Sequence, residues 1–151
     1  MTTAARQLIV NAIENGTVLD HIPSENLFKV VEILNLTDCA NQITIGSNLE
    51  SKSFGSKGII KVADRYFEND ELNRIALVAP QATINIIKDY KVVDKHKIVI
   101  PREVMGIGKC ANPMCVTNHQ KIRTRFKTLV EKGSINLLCH YCEKTTKNVN
   151  L

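Results

Sequence analysis

The chain has 151 residues, of which 44% are hydrophobic and 23% are charged, a composition typical of a globular protein. No apolar run approaches the roughly 20 residues that a membrane-spanning helix requires, and no signal-peptide pattern is present, so we expect a soluble, cytoplasmic protein. The net charge of +5 is uneven, because residues 1–100 carry 11 Lys/Arg against 12 Asp/Glu whereas residues 101–151 carry 9 against 3. This asymmetry predicts two regions with different partners.

The pattern of apolar residues in the first hundred positions predicts four strands and two helices. A strand over "TVLDHI" precedes a helix over "ENLFKVVEILNL", for which Ser24 is a suitable N-cap. Strands over "NQITIGSNL" and "IIKVADRYF" follow, separated by a mobile turn, "SKSFGSKG". A second helix over "ELNRIALVA" would be capped by Asn69 or Asp70, and a single strand over "ATINIIKDYKVV" ends the series.

The predicted order, β-α-β-β-α-β, is that of the split βαβ unit of ferredoxin-like sandwiches. We therefore predict an α+β protein with a ferredoxin-like domain over residues 1–100 and a small all-β metal-binding domain over residues 101–151. Pro101 marks the joint between them. One face of such a sheet carries both helices, which leaves the other face for a partner or a long leading segment.

Four of the five cysteines form two close pairs in the C-terminal region. Four residues separate Cys110 from Cys115, and two separate Cys139 from Cys142. Pairs of this kind let one turn supply two thiolates to a tetrahedral zinc ion. Disulfides would need an oxidising compartment, iron in such a cage is less common, and buried unligated cysteines seldom show this spacing. Because four sulfurs leave no position for water, we predict one structural zinc ion per chain.

A segment of about 50 residues buries little core, so the metal is expected to supply much of its folding free energy. His140 lies between the second pair of cysteines but is expected to be exposed rather than to bind the metal. A strand over "HQKIRTRFKTLV" would place four basic side chains on one face. That face is consistent with phosphate-backbone binding, with an interface for an acidic protein partner, or with an ordinary solvated surface. The four side chains are Lys121, Arg123, Arg125 and Lys127.

The sequence carries no motif of a phosphate-binding loop, a nucleophile elbow or a zinc protease. Cys39 lies in a polar loop, "TDCANQ", and predicts no function of its own. What remains is a polar set on strand-like segments of the first domain, with lysines suited to phosphates and a carboxylate suited to ribose hydroxyls. The set comprises Asp20, His21, Lys57, Lys61, Asn85, Tyr90 and Lys95.

The segments "GTVLDHIP", "ITIGSNL", "APQATIN" and "CANPMC…CHYCEK" resemble the regulatory chain of aspartate carbamoyltransferase, in the same order and spacing over essentially the whole chain. The resemblance implies a chain of pyrimidine biosynthesis without catalytic activity of its own. It implies an N-terminal domain that binds CTP as an inhibitor and ATP as an activator, with UTP as a further candidate. It also implies a zinc domain that docks on the catalytic chain, and regulatory dimers, three of which join two catalytic trimers.

Carried over by position, the resemblance also implies a nucleotide pocket. The residues expected to line the base are Val10, Ala12 and Ile13, with backbone groups near Ile13 and Tyr90 reading its edge. The residues expected near the ribose and base are Asp20 and Lys61, and those near the triphosphate are His21 and Lys95. The remaining wall residues are Asn85, Ile87 and Val92, with Lys57 near a phosphate or a second nucleotide. The zinc ligands of the family match Cys110, Cys115, Cys139 and Cys142.

Two positions differ from a well-known member of the family, which has an acidic residue in place of Asn11 and a tyrosine in place of Val78. We expect these differences to alter the nucleotide response rather than the fold. Two other classes of function are consistent with the residues. A nucleic-acid-binding zinc ribbon would lose affinity steeply with salt, and a free-standing nucleotide sensor would bind CTP without joining a catalytic trimer.

Overall fold

The computed structural model describes residues 12–52 and 55–147. Within them lie two longer helices, α1 (Leu27–Ile33) and α2 (Asn69–Val78), and nine strands. The strands of the first region are β1 (Gly16–Pro23), β2 (Ile43–Ser51), β3 (Gly55–Ala63), β4 (Thr83–Lys88) and β5 (Lys91–Lys97). Those of the second are β6 (Glu103–Met105), β7 (Arg125–Glu131), β8 (Ser134–Cys139) and β9 (Thr145–Thr146).

The strands form two sheets in which the observed pairs are antiparallel. The first sheet has the order β2-β3-β1-β4-β5 and the second has the order β6-β7-β8-β9. The first four strands of the five-stranded sheet follow the order of a split βαβ unit. The predicted α+β class, with an all-β C-terminal part, is therefore confirmed. No helix among the described residues is long and apolar enough to cross a membrane.

Cα packing divides the chain into two compact units. The first runs to Phe67 and includes Gln81–Lys97, and the second comprises Glu68–Pro80 and the chain from Ile98 onward. Helix α2 thus belongs to the second unit, where its Leu77 lies in the same buried cluster as the aromatic ring of Phe126. An apolar stripe predicts that a helix buries one face, but it does not tell which core receives that face.

Strand β1 lies at the centre of the first sheet, paired with β3 on one side and β4 on the other. Its side chains alternate between the two faces, as in any strand. Thr17 and Leu19 are fully buried on one face. Val18 and Asp20 point to the opposite face, which most of the candidate site residues described below share.

The predicted fourth strand was wrong, because the segment forms two strands, β4 and β5, joined by a tight turn. Asp89 and Tyr90 occupy the turn with positive φ angles of 50° and 64°. The turn contains no glycine, and the preceding chain holds it instead. The backbone N–H of Tyr90 donates to the carbonyl of Glu14 at 2.9 Å, and that of Asp89 donates to the side chain of Asn15 at 3.2 Å. These long-range bonds stabilise a conformation that local propensity disfavours.

The segment "SKSFGSKG", predicted as a mobile turn, is mostly strand. Strand β2 continues to Ser51 and β3 begins at Gly55, so only a short link separates them, and β3 already ends at Ala63. Gly58 lies within β3 and faces α1. A Cβ atom at this position would come within 2.6 Å of the Leu27 side chain. The absence of a side chain at this position therefore lets α1 pack closely on the strand.

The predicted helix caps do not form. Ser24 opens a short 3₁₀ turn ahead of α1, and its hydroxyl accepts a hydrogen bond from the backbone N–H of Asn48 at 3.2 Å. Helix α2 begins at Asn69, so Glu68 occupies its N-cap position without a side-chain cap. An acidic first turn, which includes Asp70, interacts favourably with the helix dipole instead.

Candidate metal centre and effector site

The second unit brings the four predicted cysteine ligands into one cluster. Their Sγ atoms all lie within 4.8 Å of one another, with 3.6 Å between Cys110 and Cys142 and 3.7 Å between Cys115 and Cys139. Tetrahedral zinc with Zn–S bonds of about 2.3 Å requires sulfurs about 3.8 Å apart. None of the four forms a disulfide. The donor set and its spacing therefore fit a four-coordinate thiophilic metal, as predicted.

Backbone hydrogen bonds hold both pairs of ligands in tight turns. In the first turn, the N–H of Cys115 donates to the carbonyl of Asn112 at 3.0 Å. The side chain of Asn118 donates to the carbonyls of Asn112 and Cys110 at 2.8 and 3.0 Å, which closes this loop from the other side. In the second turn, the N–H of Cys139 donates to the carbonyl of Lys144 at 3.0 Å. These hydrogen bonds fix the conformation of both loops around the sulfurs.

The thiols of the cluster differ in how easily they ionise. Burial raises the pKa of Cys110 to about 12. Burial also acts to raise the pKa of Cys142, but hydrogen bonds from the Asn112 side chain and the Lys144 backbone outweigh it and lower this pKa to about 6. Four thiolates at such separations repel one another strongly, so full ionisation requires a bound cation. His140 is exposed and stands outside the cluster, as predicted.

The predicted continuous basic face between the two pairs was wrong. Strand β7 begins at Arg125, so Lys121 and Arg123 lie in the irregular chain that precedes it. Arg125 forms an ion pair with Glu103 of the neighbouring strand β6, and Glu103 also stands opposite Lys127 in the register. The ion pair lowers the pKa of Glu103. The basic surface is therefore interrupted and partly neutralised.

In the first unit, most of the polar residues predicted to bind nucleotide share one face of the sheet. The register places Lys61, Val18, Asn85 and Lys95 opposite one another across β3, β1, β4 and β5. Residues directly opposite in neighbouring strands point to the same side. Two lysines and an amide from three strands thus flank Val18 on the face opposite the core.

A carboxylate with several partners lies next to this row. The Nζ atom of Lys57 lies 2.8 Å from Oδ1 and 3.1 Å from Oδ2 of Asp20, and the backbone N–H of His21 donates to Oδ1 at 2.6 Å. Burial acts to raise the pKa of Asp20. The hydrogen bonds from Lys57 and His21, together with the charge of Lys57, outweigh burial and hold this pKa below its usual value. Asp20 is therefore ionised at neutral pH.

His21 reaches this position through an irregularity in β1. The β1–β3 register shifts between Leu19 and Ile22, and His21 has a φ of 57°, which redirects its side chain. Its Nδ1 lies 3.2 Å from the hydroxyl of Thr83 on β4. Thr83 was not predicted. It lies opposite Asp20 in the register, a relationship that strand pairing alone reveals.

Lys61 lies beside the same carboxylate in a partly buried position. Burial lowers the pKa of Lys61, and the negative charge of Asp20 opposes that effect in part. Asp20 therefore forms a direct ion pair with Lys57 and acts on Lys61 through its negative charge. The carboxylate and its cations form one electrostatic group.

A small apolar cluster lies on the same face. Ile13, Val18 and Ile87 are buried together, with Ile59 packed against them. Ile13 and Ile87 were predicted, whereas Val18 and Ile59 were not, although their places opposite or next to Lys61 follow from the register. An adjacent cavity of about 210 Å³ is lined by Ala12, Ile13, Glu14, Asn15, Gln42, Ala63, Asp64 and Tyr90.

Three predicted residues are less enclosed. Tyr90 is exposed in the β4–β5 turn, and Val92 and Lys95 are exposed on the edge strand β5. Val10 and Asn11 lie outside the described residues. The structure thus brings most of the polar set and two of the apolar residues to one face, and it places Tyr90, Val92 and Lys95 along the rim of that face.

Comparison with known proteins identifies two family domains in succession along the chain. Residues 8–99 match the family described as the allosteric domain of the aspartate carbamoyltransferase regulatory chain, and residues 102–150 match its metal-binding domain. The aspartate carbamoyltransferase regulatory chain of Phocaeicola vulgatus is 51% identical over 95% of this chain and 92% of its own length. That of Thermococcus gammatolerans is 49% identical over 92% of each chain. The chain therefore belongs to the family of aspartate carbamoyltransferase regulatory chains, and it is a regulatory rather than a catalytic chain.

Proposed function

We propose that this chain binds CTP as an inhibitor and ATP as an activator on the open face of the first sheet, and that it passes the effect to aspartate carbamoyltransferase catalytic chains. The observation that carries the proposal is the row formed by Lys61, Asn85 and Lys95 beside Asp20. This row places cations, an amide and a carboxylate together on one open surface. These are the groups that a triphosphate, a base and a ribose respectively require.

The base would bind at the apolar end of the face. Ile13 and Ile87 offer a nonpolar surface there, and the turn at Tyr90 lies beside the same cavity. Backbone N–H and C=O groups in this turn can read the edge of a base without a dedicated side chain. A site of this kind accepts both a pyrimidine and a purine, because the backbone offers donors and acceptors in either case.

The triphosphate would extend toward the basic end. Lys95 projects from the exposed edge strand β5, Lys57 lies on β3 at the other side of the central strand, and His21 lies on the central strand itself. Charge-assisted hydrogen bonds from lysine to phosphate are about twice as strong as neutral ones. Opposite responses to CTP and ATP then require that the two nucleotides contact the two quaternary states differently, since equal affinity shifts no equilibrium.

In the second unit, we propose that the four cysteines hold one structural zinc ion. The metal would supply rigidity to a domain that docks on the catalytic chain, rather than chemistry. The interrupted basic surface at Glu103 and Arg125 favours protein contact over nucleic-acid binding, because a phosphate backbone prefers an uninterrupted row of cations. The domain boundary is proposed near Pro101, where relative motion would transmit the signal.

For the complete enzyme we propose the assembly of two catalytic trimers with three regulatory dimers. Coupling between effector and substrate sites is expected to be about 1–3 kcal/mol and reciprocal. A substrate analogue bound to the catalytic chains should therefore change CTP affinity by the same factor that CTP changes the affinity for the analogue.

Two measurements test this function. Calorimetric titration of the zinc-loaded chain with CTP, and competition by ATP, should show one shared saturable site per chain. Mixing the chain with catalytic trimers should yield a larger complex by light scattering, in which CTP lowers activity and ATP raises it. A complex that forms but does not respond to either nucleotide would contradict the effector site, whereas CTP binding without complex formation would indicate a free-standing sensor.

A further inference from the structure

The ion pair between Lys57 and Asp20 occupies two groups that a nucleotide would need. Both carboxylate oxygens of Asp20 lie within hydrogen-bond distance of the Lys57 ammonium, at 2.8 and 3.1 Å. The two side chains are only 21% and 19% exposed. Without a ligand, the positive charge of Lys57 is therefore neutralised within the site, and the acceptors of Asp20 are already engaged.

We infer that this pair is exchangeable and selects for intact nucleotides: the phosphates draw Lys57 away from Asp20, and ribose hydroxyls replace Lys57 at the carboxylate. The inference rests on the proposed nucleotide function and concerns the mechanism of recognition at that same site. It assigns Lys57 and Asp20 a joint role in selectivity, beyond separate contacts with phosphate and ribose.

A ligand that carries only phosphates or only a nucleoside leaves one half of the Lys57–Asp20 pair without compensation. Inorganic triphosphate can engage Lys57, but it then leaves the carboxylate of Asp20 without its partner and next to a polyanion. A partly buried group that loses its partner is costly, and like charges add repulsion. A nucleoside without phosphates offers hydroxyls to Asp20 while Lys57 still holds both oxygens. Only a ligand that carries both parts replaces both halves of the pair.

The surroundings of Asp20 make the exchange possible without collapse of the site. The backbone N–H of His21 continues to donate to Oδ1 when Lys57 leaves, and the charge of Lys61 lies close enough to act on the carboxylate. Asp20 thus keeps part of its stabilisation during the exchange. The pair is held by two contacts of ordinary length rather than by complete burial, which suits a contact that must open.

The test uses inorganic triphosphate and cytidine as the two half-ligands, with CTP as the complete one. Asp20→Asn removes the competing carboxylate, so the variant should bind inorganic triphosphate about fivefold more tightly than the wild-type chain. The same variant should bind CTP more weakly, because the ribose loses a charged acceptor. An increase in affinity for inorganic triphosphate together with a decrease in affinity for CTP would identify the exchange.

Lys57→Gln provides a second and independent variant. It frees Asp20 for ribose hydroxyls, so cytidine should bind more tightly than to the wild-type chain while CTP binds more weakly. Asp94→Asn serves as the matched control, since Asp94 is an exposed carboxylate that lies 3.3 Å from His96 and belongs to the opposite face of the same sheet. This control removes the same charge and should leave all three affinities unchanged.

The outcomes are distinguishable. Suppose that the wild-type chain binds CTP, but that Asp20→Asn binds inorganic triphosphate no more tightly than the wild-type chain does. The exchange is then disproved, whereas the proposed nucleotide site is retained. If Lys57→Gln also fails to bind cytidine more tightly, the two residues act separately. A wild-type chain that binds no CTP overturns the proposed function, and the exchange with it.

Discussion

The Sγ atoms of Cys110 and Cys142 lie 3.6 Å apart although the two residues are 32 positions apart in the sequence. The segment between them contains strands β7 and β8, so this contact encloses the central hairpin of the second sheet. Because a metal at this point crosslinks the ends of the segment, its loss should affect the whole second unit rather than one loop.

Cys115→Ser should abolish metal binding and assembly with the catalytic chain, while the first unit still binds CTP. A serine hydroxyl is a poor substitute for a buried thiolate ligand, and the three remaining sulfurs would repel one another on ionisation. Zinc content by atomic absorption and complex formation by light scattering measure the two effects. Cys39→Ser is the matched control, because Cys39 is half-buried and outside the cluster. Normal assembly of Cys115→Ser would disprove the docking role of the metal domain.

Lys95→Ala should weaken CTP binding by about tenfold or more, the loss expected for one hydrogen bond to a charged group. Subunit assembly should not change, since Lys95 is exposed in β5 and belongs to the first unit. Lys88→Ala is the control, because Lys88 is also exposed on this sheet but lies over the ring of Tyr66 at 6.0 Å. Equal calorimetric affinities for Lys95→Ala and the wild-type chain would remove Lys95 from the site.

The ion pair at Asp20 should make stability depend on pH in the acid range. The pKa of Asp20 in the folded chain lies below its usual value of 3.8, so the native state binds fewer protons than the unfolded state. The stabilisation of the folded chain by the ionised Asp20 is therefore present above pH 3.8 and is lost as the pH falls through the pKa of Asp20 in the folded state. In urea unfolding, the difference in the free energy of unfolding between the wild-type chain and Asp20→Asn should be constant near neutrality and should shrink below pH 3.8. Metal loss in acid affects both proteins alike, so a constant difference down to pH 2 would contradict the assignment.

Gly58→Ala should destabilise the first unit by about 1–3 kcal/mol, the usual effect of overpacking a core. The new methyl group would meet the side chain of Leu27 at 2.6 Å. Leu27→Ala alone should also destabilise, through the cavity that it leaves. The double variant should lose less than the sum of both, because the methyl group then enters the vacated space. Additive losses in urea unfolding would show that the two sites do not interact.

Sequence pattern and structure agree best where the information is local. The cysteine spacing predicts the ligand cluster, because each pair needs only one turn to converge. Strand β3 around Ile60 shows the alternation of buried and less buried residues that a half-buried sheet requires. The sequence pattern does not predict the β4–β5 turn, because its positive φ angles depend on hydrogen bonds that the turn donates to Glu14 and Asn15, far earlier in the chain.

The site itself was only partly predictable. Asp20, Lys57 and Lys61 could be named as polar residues on strands, but which of them meet depends on register and on the irregularity at His21. A one-residue slip of register would send every side chain to the other face. The sequence pattern does not identify Thr83 and Val18 for the same reason, since their positions depend on the strand register. The nucleotide assignment came from resemblance to a family, since charge and alternation alone do not distinguish an effector site from a solvated surface.

The central position of β1 has an evolutionary consequence. Strand β1 pairs on both sides, and its Thr17 and Leu19 are fully buried. An insertion in this strand would therefore displace the core residues and the candidate site residues together. Among the strands of residues 12–52 and 55–147, β5 pairs with β4 alone, and its residues are all exposed. Divergence in effector preference among related chains should therefore accumulate along β5 and the turn before it, while the residues supplied by β1 persist.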